Sequence, residues 1–278
     1  MNCLFCNNKN IKILKGFNLL PRCFDFQKKA NSSSGNYKIL LLQCYNCTVI
    51  QLRKTGDKNS FKSKFDWIEN KEPDQHLINL SNYIEKFLKK GKRVLFLSKY
   101  DQVIFNHLKK KYNKSIYILN NKDLNIKHRN ISQFFIQDKL VRNNLKKLKN
   151  KIGSFDLIVS CRVLEHSYSI FKLIKNLKNL LSIDGQFIFE VPDSFKSLKQ
   201  GDIGMLWEEH SVYLTSNSIK LAFQKLGFHV VNLLRYKYPQ EDALAVHLIP
   251  KKNITTNKNK ISSELESGKN FAKKIDKV

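Results

Sequence analysis

The sequence predicts an α/β protein, with a doubly wound and mostly parallel sheet preceded by a small cysteine-bearing module. From residue 74 onward, segments with helical periodicity alternate with short apolar strands, which is typical of a parallel sheet covered by helices on both faces. Before that point the chain holds short apolar runs, turns and two closely spaced pairs of cysteines. A chain of 278 residues can form one main core and one additional small module.

The first part of the alternating region is predicted as three helices and three strands. Leu77, Ile84 and Leu88 recur at helical spacing, and Gly91 follows where a helix cap belongs. The apolar run at 94–97 is typical of a buried strand. In chain order, the predicted elements are a helix at 74–91, a strand at 93–97, a helix at 101–111, strands at 115–119 and 131–136, and a helix at 138–150.

The second part continues the alternation and contains the clearest helix of the sequence. Ile170, Leu173 and Leu177 lie on one face of that helix. Thr215 is a natural N-cap for a later helix, which ends at Gly227. The predicted elements are a strand at 155–160, a helix at 170–181, a strand at 186–191, a helix at 215–226, and strands at 229–235 and 243–249. The predicted domains are a module at 1–70, an α/β domain at 71–250, and a basic tail or linker with a weak helical signal at 251–278.

The turn after the first predicted strand, Ser98-Lys99-Tyr100-Asp101-Gln102, contains no glycine. Nucleotide-binding α/β folds usually have a glycine-rich turn here, because the chain turns tightly and a ligand approaches its backbone. A non-glycine residue held at positive φ in this turn would cost about 1–2 kcal/mol. The sequence therefore leaves open whether this turn forms a ligand site.

The chain is strongly basic, with 50 Lys and Arg residues, 23 Asp and Glu residues and a net charge of +27. Such a charge is typical of nucleic-acid binding, because clustered cations neutralise phosphates. The excess is mostly lysine and accompanies abundant Asn and Ile, which is also what the codon usage of an AT-rich genome produces. Since no basic patch is evident in the sequence, we do not expect a nucleic-acid partner, although the charge does not exclude one.

No run of about 18 apolar residues occurs in the sequence, so we expect no membrane-spanning helix and no membrane partner. The N-terminal stretch MNCLFCNNKN lacks the charged and apolar segments of a signal peptide. We therefore expect a cytoplasmic protein.

Four of the six cysteines form two C-x-x-C pairs, Cys3 with Cys6 and Cys44 with Cys47. Each pair can place two thiolates on one side of a tetrahedral ion, so that two pairs complete a four-thiolate shell. Disulfides are the alternative, but they are unusual in a protein that is not secreted. We predict one structural zinc ion, whose closed shell leaves no open position for catalysis. The cysteines left outside this shell are Cys23 and Cys161.

Three stretches of the sequence resemble a known family. Residues 155–192, FDLIVSCRVLEHSYSIFKLIKNLKNLLSIDGQFIFEVP, resemble a strand, helix and strand of class I S-adenosylmethionine-dependent methyltransferases. The N-terminal CLFC and the stretch LLLQCYNCTVIQL at 40–52 look like the zinc-binding domain of sugar C-methyltransferases, which act on nucleotide-linked keto-deoxysugars. Residues 207–228, WEEHSVYLTSNSIKLAFQKLGF, are similar to the His-Glu-His segment of that family and the helix after it.

The resemblance covers about residues 1–250 and implies a Rossmann-like methyltransferase fold, S-adenosylmethionine as cofactor, structural zinc and a nucleotide sugar as substrate. His210 and Glu209 match the family's catalytic His and the Glu beside it, and Tyr213 matches a following aromatic residue. An imidazole with a pKa near the working pH can remove a proton next to a ketone, and the enolate carbon can then accept a methyl group. A surface or capping acidic cluster is the alternative interpretation of this segment.

The resemblance also assigns residues to the cofactor after three predicted strands. They are Ser98, Lys99 and Asp101 after the first strand, Asn120 or Asn121 after the second, and Arg162 and His166 after the strand at 155–160. Glu165 and His166 could instead pack against the next helix.

The sequence departs from this family in several places. Ser98 and Gln102 replace two glycines, an Asn replaces the acidic residue that binds the ribose hydroxyls, and Glu208 replaces the first His of His-Glu-His. The family usually continues into a further C-terminal domain that helps to enclose the sugar nucleotide. A degenerate methyltransferase-like scaffold and an RNA methyltransferase are therefore alternative functions.

Overall fold

Two β-sheets organise the protein, a four-stranded sheet near the N-terminus and a six-stranded sheet that carries most of the helices. The computed structural model describes residues 1–20, 37–53, 73–126, 133–142, 145–251 and 258–276. The predicted fold class, an α/β protein with a mostly parallel central sheet, is confirmed.

The secondary structure is numbered in chain order. The strands are β1 (Ile11–Leu20), β2 (Tyr37–Cys44), β3 (Ile50–Leu52), β4 (Val94–Phe96), β5 (Ile116–Ile118), β6 (Phe155–Cys161), β7 (Leu181–Asp193), β8 (Val212–Tyr213), β9 (Phe228–Tyr236) and β10 (Asp242–Pro250). The helices are α1 (Gln75–Leu88), α2 (Gln102–Tyr112), α3 (Gln133–Arg142), α4 (Leu145–Ile152), α5 (Ile170–Leu177), α6 (Phe195–Gln200), α7 (Ser216–Lys225) and α8 (Lys258–Ile275). None of the described helices has both the length and the apolar character needed to cross a bilayer.

The six-stranded sheet has the strand order β5-β4-β6-β7-β10-β9. β4 pairs in parallel with both β5 and β6, and β6 pairs in parallel with β7. β10 runs antiparallel to both of its neighbours, β7 and β9. The strand order changes direction at β4, and open α/β sheets bind ligands at such a point, beyond the carboxyl ends of the strands. The topology therefore places a ligand crevice beyond β4, β5 and β6.

The core lies on both faces of this sheet. Leu80 and Ile84 of α1 and Ile104 of α2 are buried against one face. Leu173 of α5 and Phe223 of α7 belong to a larger apolar cluster on the other face. Burial on both faces explains why the central strands read as continuous apolar runs in the sequence.

The four-stranded sheet joins distant parts of the chain in the antiparallel order β1-β2-β3-β8. Gln51 of β3 lies opposite Val212 of β8. The N–H of Leu52 also donates a hydrogen bond to the carbonyl oxygen of Ser211 at 2.9 Å. Because β8 directly follows residues 207–211, the cysteine-bearing module holds that segment in place.

The last described helix, α8, packs against the small sheet. Phe271 and Ile275 are buried in one cluster with Leu41 and Leu52 of the sheet. The weak helical signal of the tail therefore corresponds to a helix with a buried apolar face.

One predicted strand is wrong. Residues 133–136, predicted as part of a strand at 131–136, lie in α3, whereas 131–132 fall outside the described residues. A short apolar run fits a strand and a buried helix equally well, so its period does not decide between them. Ile136 and Leu140, four residues apart, are both buried, as expected for one face of a helix.

Some predicted boundaries also differ from the structure. The helix predicted at 138–150 is two helices, α3 and α4. The helix predicted at 170–181 ends at Leu177, and a 3₁₀ turn over Lys178–Leu180 follows it. β7 begins at Leu181, before the predicted start of that strand.

Candidate active site

The turn beyond β4 forms without glycine because none of its key residues needs a left-handed backbone. Ser98 is extended, with φ −158°, and Gln102 is α-helical, with φ −61°. The Ser98 hydroxyl accepts a hydrogen bond from the N–H of Tyr100 at 3.2 Å and caps a short 3₁₀ turn. The strain expected for a non-glycine residue at positive φ is therefore absent from this turn.

Asp101 ties this turn to the end of β6. Its buried carboxylate accepts hydrogen bonds from the N–H groups of Leu97 at 2.9 Å, Ser98 at 3.0 Å and Cys161 at 2.8 Å. Burial raises the pKa of Asp101 to about 7, although these donors act in the opposite direction. The side chain that the sequence assigned to the cofactor thus fixes the backbone of two loops at the crevice.

A cavity of about 550 Å³ opens at the predicted crevice. Its volume lies within the range of small-molecule sites. The polar residues that line it come from the turn after β4, the first residue of α2 and the loop after β5: Ser98, Lys99, Gln102, Asn120, Asn121 and Lys122. The apolar residues that line it are Ile118, Leu119, Leu124 and Ile136. The structure therefore brings together Ser98, Lys99 and Asn120, three of the predicted cofactor residues.

Asn120 lies where an acidic residue would bind the ribose hydroxyls. Its side-chain oxygen, Oδ1, already accepts hydrogen bonds within the protein. This oxygen accepts hydrogen bonds from the N–H groups of Lys122 at 2.9 Å and Asp123 at 3.1 Å. The carboxylate of Asp123 is engaged in turn by Tyr117 at 2.9 Å and by Lys151 at 2.9 Å. No carboxylate is among the described residues that line the cavity, so the amides at this end of the cavity offer N–H donors instead.

A second group of side chains lies beyond β6. The ring centroids of His166 and His210 are 4.8 Å apart, with the rings nearly perpendicular. Trp207 packs 5.0 Å from His210 and 6.4 Å from His166, measured between ring centroids. We call these three residues, together with Glu209, the His210 cluster. The structure therefore places His166 beside the predicted catalytic base, outside the residues that line the cavity.

Backbone hydrogen bonds hold the His210 cluster against the loop after β6. The N–H and hydroxyl of Ser211 both donate to the carbonyl oxygen of Glu165, at 2.6 and 2.8 Å. The same hydroxyl lies 2.7 Å from the carbonyl oxygen of Ser167. The Tyr213 hydroxyl accepts a hydrogen bond from the N–H of Trp207 at 3.2 Å, so this predicted catalytic residue supports the cluster from β8.

Burial shifts the ionisation of the cluster toward neutral forms. It lowers the pKa of His210 to about 4 and that of His166 well below its usual value, with the neighbouring His210 adding to the second shift. Burial, followed by the charge of Glu208, raises the pKa of Glu209 to about 8. Near pH 7 both imidazoles are neutral and Glu209 is protonated, so His210 lacks the near-neutral pKa that the sequence interpretation assumed.

His166 lies between two carboxyl groups at more than hydrogen-bond distance. Its Nε2 is 3.8 Å from the nearest Glu165 oxygen, and its Nδ1 is 3.9 Å from the nearest Glu209 oxygen. Within the described part of the chain, neither ring nitrogen has a hydrogen-bond partner. Buried polar atoms are rarely left in this state, because an unpaired buried nitrogen loses its hydrogen bonds to water.

Arg162 lies apart from both groups. Its backbone is left-handed, with φ 57°, and its N–H donates to the carbonyl oxygen of Glu190 at 3.0 Å. Its guanidinium donates to the carbonyl oxygen of Pro73, ahead of α1. Arg162 thus anchors the chain that enters α1 and does not line the cavity.

The sequence interpretation missed Trp207 and the apolar side of the cavity. Trp207 is adjacent to the acidic residues that were singled out, so its position next to them was the available signal. Ile136 belongs to the segment that was wrongly predicted as a strand, and only the helix α3 brings it to the cavity.

The four paired cysteines converge at one point of the small module. The sulfurs of Cys3 and Cys47 are 3.6 Å apart, those of Cys6 and Cys44 are 3.7 Å apart, and all four lie within 4.8 Å of one another. Tetrahedral zinc with bonds of about 2.3 Å requires sulfur separations of about 3.8 Å. The four thiols therefore have the spacing of a metal shell.

The two C-x-x-C turns also share one backbone geometry. In each turn, the residue after the second cysteine has a left-handed backbone, with φ 59° at Asn7 and 67° at Thr48. The N–H of that residue donates to the carbonyl oxygen of the first cysteine at 2.9 Å. Cys161 is buried at the end of β6, and Cys23 lies outside the described residues.

Comparison with known proteins gives a family and several distant structural likenesses. A family model described as a methyltransferase domain matches residues 66–233. No curated protein sequence matches the chain.

Among solved structures, magnesium protoporphyrin IX methyltransferase from Synechocystis has 9% identity and a TM-score of 0.40, covering 66% of this chain and 91% of that one. The 1,6-didemethyltoxoflavin-N1-methyltransferase of Burkholderia thailandensis has 13% identity and a TM-score of 0.41, covering 64% and 80%. An S-adenosylmethionine-dependent methyltransferase of Leishmania major has 15% identity and a TM-score of 0.41, covering 63% and 72%.

The family model spans more than half of the chain and includes β4 to β8, the strands around which the cavity and the His210 cluster are built. The chain belongs to the methyltransferase domain family and is a class I S-adenosylmethionine-dependent methyltransferase.

Proposed function

We propose that this methyltransferase methylates a carbon atom of a nucleotide-linked keto-deoxysugar, with His210 as the general base. The observation that carries the proposal is the His210 cluster, in which two neutral imidazoles, a protonated carboxyl and an indole lie together beside the loop after β6. The resemblance of residues 207–228 to sugar C-methyltransferases supports the same assignment.

The residues that line the cavity suit S-adenosylmethionine, which supplies an electrophilic methyl group when bound. Ile118, Leu119 and Ile136 offer an apolar surface to an adenine ring. The amides of Asn120 and Asn121 can donate hydrogen bonds to ribose hydroxyls. We propose that the carboxylate of the methionine part of S-adenosylmethionine pairs with the ammonium group of Lys99, which is exposed at the same cavity.

His210 can accept the proton next to the ketone because its imidazole is neutral at working pH, but burial, which lowers its pKa to about 4, makes it a weaker base than an exposed histidine. Transfer of this proton leaves negative charge on the ketone oxygen of the substrate. Glu209 holds a proton up to a pKa of about 8 and can therefore donate a hydrogen bond to that oxygen. A buried neutral carboxylic acid is an effective donor of this kind, since it stabilises charge that develops during the reaction.

The test of this function is methyl transfer to a nucleotide-linked keto-deoxysugar by the full chain. We expect wild-type protein to form a C-methylated product and to exchange the proton next to the ketone with deuterium from solvent. The variant His210→Asn should lose both activities while it keeps its affinity for S-adenosylhomocysteine. Turnover by His210→Asn would contradict the assignment of the base.

A matched control separates the role of His210 from a general effect of losing a histidine. His107 is exposed on α2. His107→Asn should leave product formation and proton exchange unchanged. If wild-type protein methylates no nucleotide-linked keto sugar but binds the cofactor, the sugar assignment is wrong and the family assignment stands.

We also propose that Cys3, Cys6, Cys44 and Cys47 hold one structural zinc ion. The support is the convergence of four thiols at metal-shell spacing and the repeated turn geometry. Four protein ligands complete a tetrahedral shell, so the ion would stabilise the module and take no part in methyl transfer.

A further inference from the structure

The amino edge of the six-stranded sheet, opposite the cavity, concentrates lysines. The helices α1, α2 and α7 end at this edge, where they lead into β4, β5 and β9. Their last turns and the loops after them carry lysines. We call this surface the basic face and define it by Lys89, Lys92, Lys111, Lys114, Lys178 and Lys225.

These lysines are accessible to a partner. The side chains of Lys89, Lys92 and Lys111 are 66%, 52% and 74% exposed. Lys114 and Lys225 are also exposed, and neither has an ion-pair partner among the described residues.

Few carboxylates balance this face. Glu85 lies 4.0 Å from the ammonium of Lys89 and 3.5 Å from that of Lys111, so one acid faces two cations. Asp156 accepts hydrogen bonds from the N–H of Arg93 at 2.9 Å and lies 3.5 Å from Lys92. Glu85 and Asp156 therefore face three of the six lysines that define the basic face, Lys89, Lys92 and Lys111.

An apolar residue projects from the same face. Ile183, in the loop that opens β7, is 98% exposed. The hydroxyl of its neighbour Ser182 lies 3.1 Å from the Asp156 carboxylate, which also meets Lys92, so the loop belongs to the basic face. A Cβ at Gly185 would lie 2.7 Å from the Cβ of Leu181, so the tight shape of this loop requires glycine.

We propose that the basic face docks on an anionic lipid bilayer, with Ile183 inserted at the interface and the cavity directed away from the membrane. Lysines near an anionic surface and an exposed apolar side chain are complementary to lipid headgroups and to the acyl boundary. A nucleic acid fits this face less well. The cations that define the face are lysines, whereas arginine is the residue that binds a phosphate with two parallel hydrogen bonds. Contacts with phosphates also give no role to an exposed isoleucine. Asp184, beside Ile183, is an exposed carboxylate that opposes this attraction.

The experiment is sedimentation of the full chain with vesicles. We expect binding to vesicles of phosphatidylglycerol mixed with phosphatidylcholine, no binding to phosphatidylcholine alone, and release at about 1 M salt, where the screening length is about 3 Å. Each lysine near an anionic surface contributes about fivefold to partitioning, so Lys114→Gln with Lys225→Gln should weaken binding by about 25-fold. Ile183→Ser should weaken binding to anionic vesicles in both low and moderate salt.

A matched pair of lysines elsewhere controls for net charge. Lys237, at the carboxyl edge of the sheet, and Lys273, on α8, are exposed. Lys237→Gln with Lys273→Gln removes the same charge and should leave vesicle binding within about twofold of wild type, if distance from the surface decides the effect. Equal loss from both pairs, absence of vesicle binding, or binding to single-stranded RNA without vesicle binding would each overturn the proposal.

Discussion

At the scale of single residues, Ser98 explains how this methyltransferase forms the turn after β4 without glycine. The extended backbone of Ser98 is open to any residue, and its hydroxyl is occupied by the N–H of Tyr100. The side chain is 1% exposed, so it fills the turn and leaves the cavity open.

Two substitutions at Ser98 test this explanation. Ser98→Ala removes the cap and should lower the free energy of unfolding by about 1 kcal/mol. Ser98→Gly should lower it by only a few tenths of a kcal/mol. Both variants should bind S-adenosylhomocysteine as tightly as wild type. Chemical denaturation and calorimetry measure the two effects, and a tenfold gain in affinity for Ser98→Gly would mean that the serine obstructs the ligand.

The proton on Glu209 predicts how stability depends on pH. The folded protein keeps this proton up to a pKa of about 8, whereas the ordinary value is 4.5. Stability that Glu209 contributes at low pH is therefore lost as the pH rises from 4.5 through 8, at about 1.4 kcal/mol per pH unit at most. Glu209→Gln, which cannot ionise, should lack this loss in urea denaturation between pH 5 and 8.

Glu266, exposed on α8, provides the control for that comparison. Glu266→Gln should follow the wild-type dependence of stability on pH. Parallel curves for wild type and Glu209→Gln would show that Glu209 is ionised at neutral pH in the folded protein.

Some residues of the candidate site were predictable from the sequence, but the ionisation state of their side chains was not. The cysteines were identifiable from spacing alone, because two C-x-x-C pairs are a specific pattern. His210 was identified from its surroundings in the chain, but its low pKa arises from burial, and one of the rings packed against it belongs to His166, which is distant in sequence. Such burial depends on the tertiary structure and leaves no local signal.

At the scale of elements, the contact between α8 and β2 depends on a glycine inside a helix. A Cβ at Gly268 would lie 2.8 Å from the side-chain Cδ of Gln43. The amide of Gln43 donates to the carbonyl oxygens of Thr48 and Glu264, each at 3.0 Å. The glycine therefore lets the helix approach the sheet closely enough for both hydrogen bonds.

Gly268→Ala should destabilise the protein although alanine favours helices. Displacement of the buried Gln43 side chain should cost about 1–3 kcal/mol, which exceeds the helical gain of about 1 kcal/mol. Asn270→Ala, at an exposed position of α8, should instead raise stability slightly. Thermal and urea unfolding measure both, and a more stable Gly268→Ala protein would contradict the close packing.

Helices and central strands were predictable where the period was long and clear, as in α1 and α5. The failure at α3 has a physical reason, since the apolar run up to Ile136 is too short for its period to separate strand from helix. The pairing of β3 with β8 was also beyond prediction, because the two strands are short and far apart in the chain.

At the scale of the whole molecule, the cysteine module and the His210 cluster form one unit. β8 follows His210 directly and completes the sheet of the module through Gln51 and Val212. The cavity, by contrast, is lined by residues near the carboxyl ends of β4 and β5, which belong to the other sheet. Loss of the proposed metal should therefore affect the substrate side of the site more than the cofactor side.

Cys44→Ser tests this coupling. Wild-type protein should contain one zinc ion per chain, and the variant should lose it because three thiolates leave the shell incomplete. The rate of methyl transfer should fall by at least tenfold, because displacement of a catalytic group by about 1 Å is enough for such a loss. The affinity for S-adenosylhomocysteine should change by less than about threefold. Cys161→Ala, outside the shell, should retain zinc, and a zinc-free but fully active wild-type protein would contradict the coupling.

Calorimetric titration of the full chain with S-adenosylhomocysteine decides whether the cavity beyond β4 and β5 holds the cofactor, as we propose. We expect saturable binding at one site per chain, weakened by Lys99→Glu and unchanged by the control Lys90→Glu at the opposite edge of the sheet. Absence of heat at millimolar ligand, or equal binding by wild type and Lys99→Glu, would contradict it.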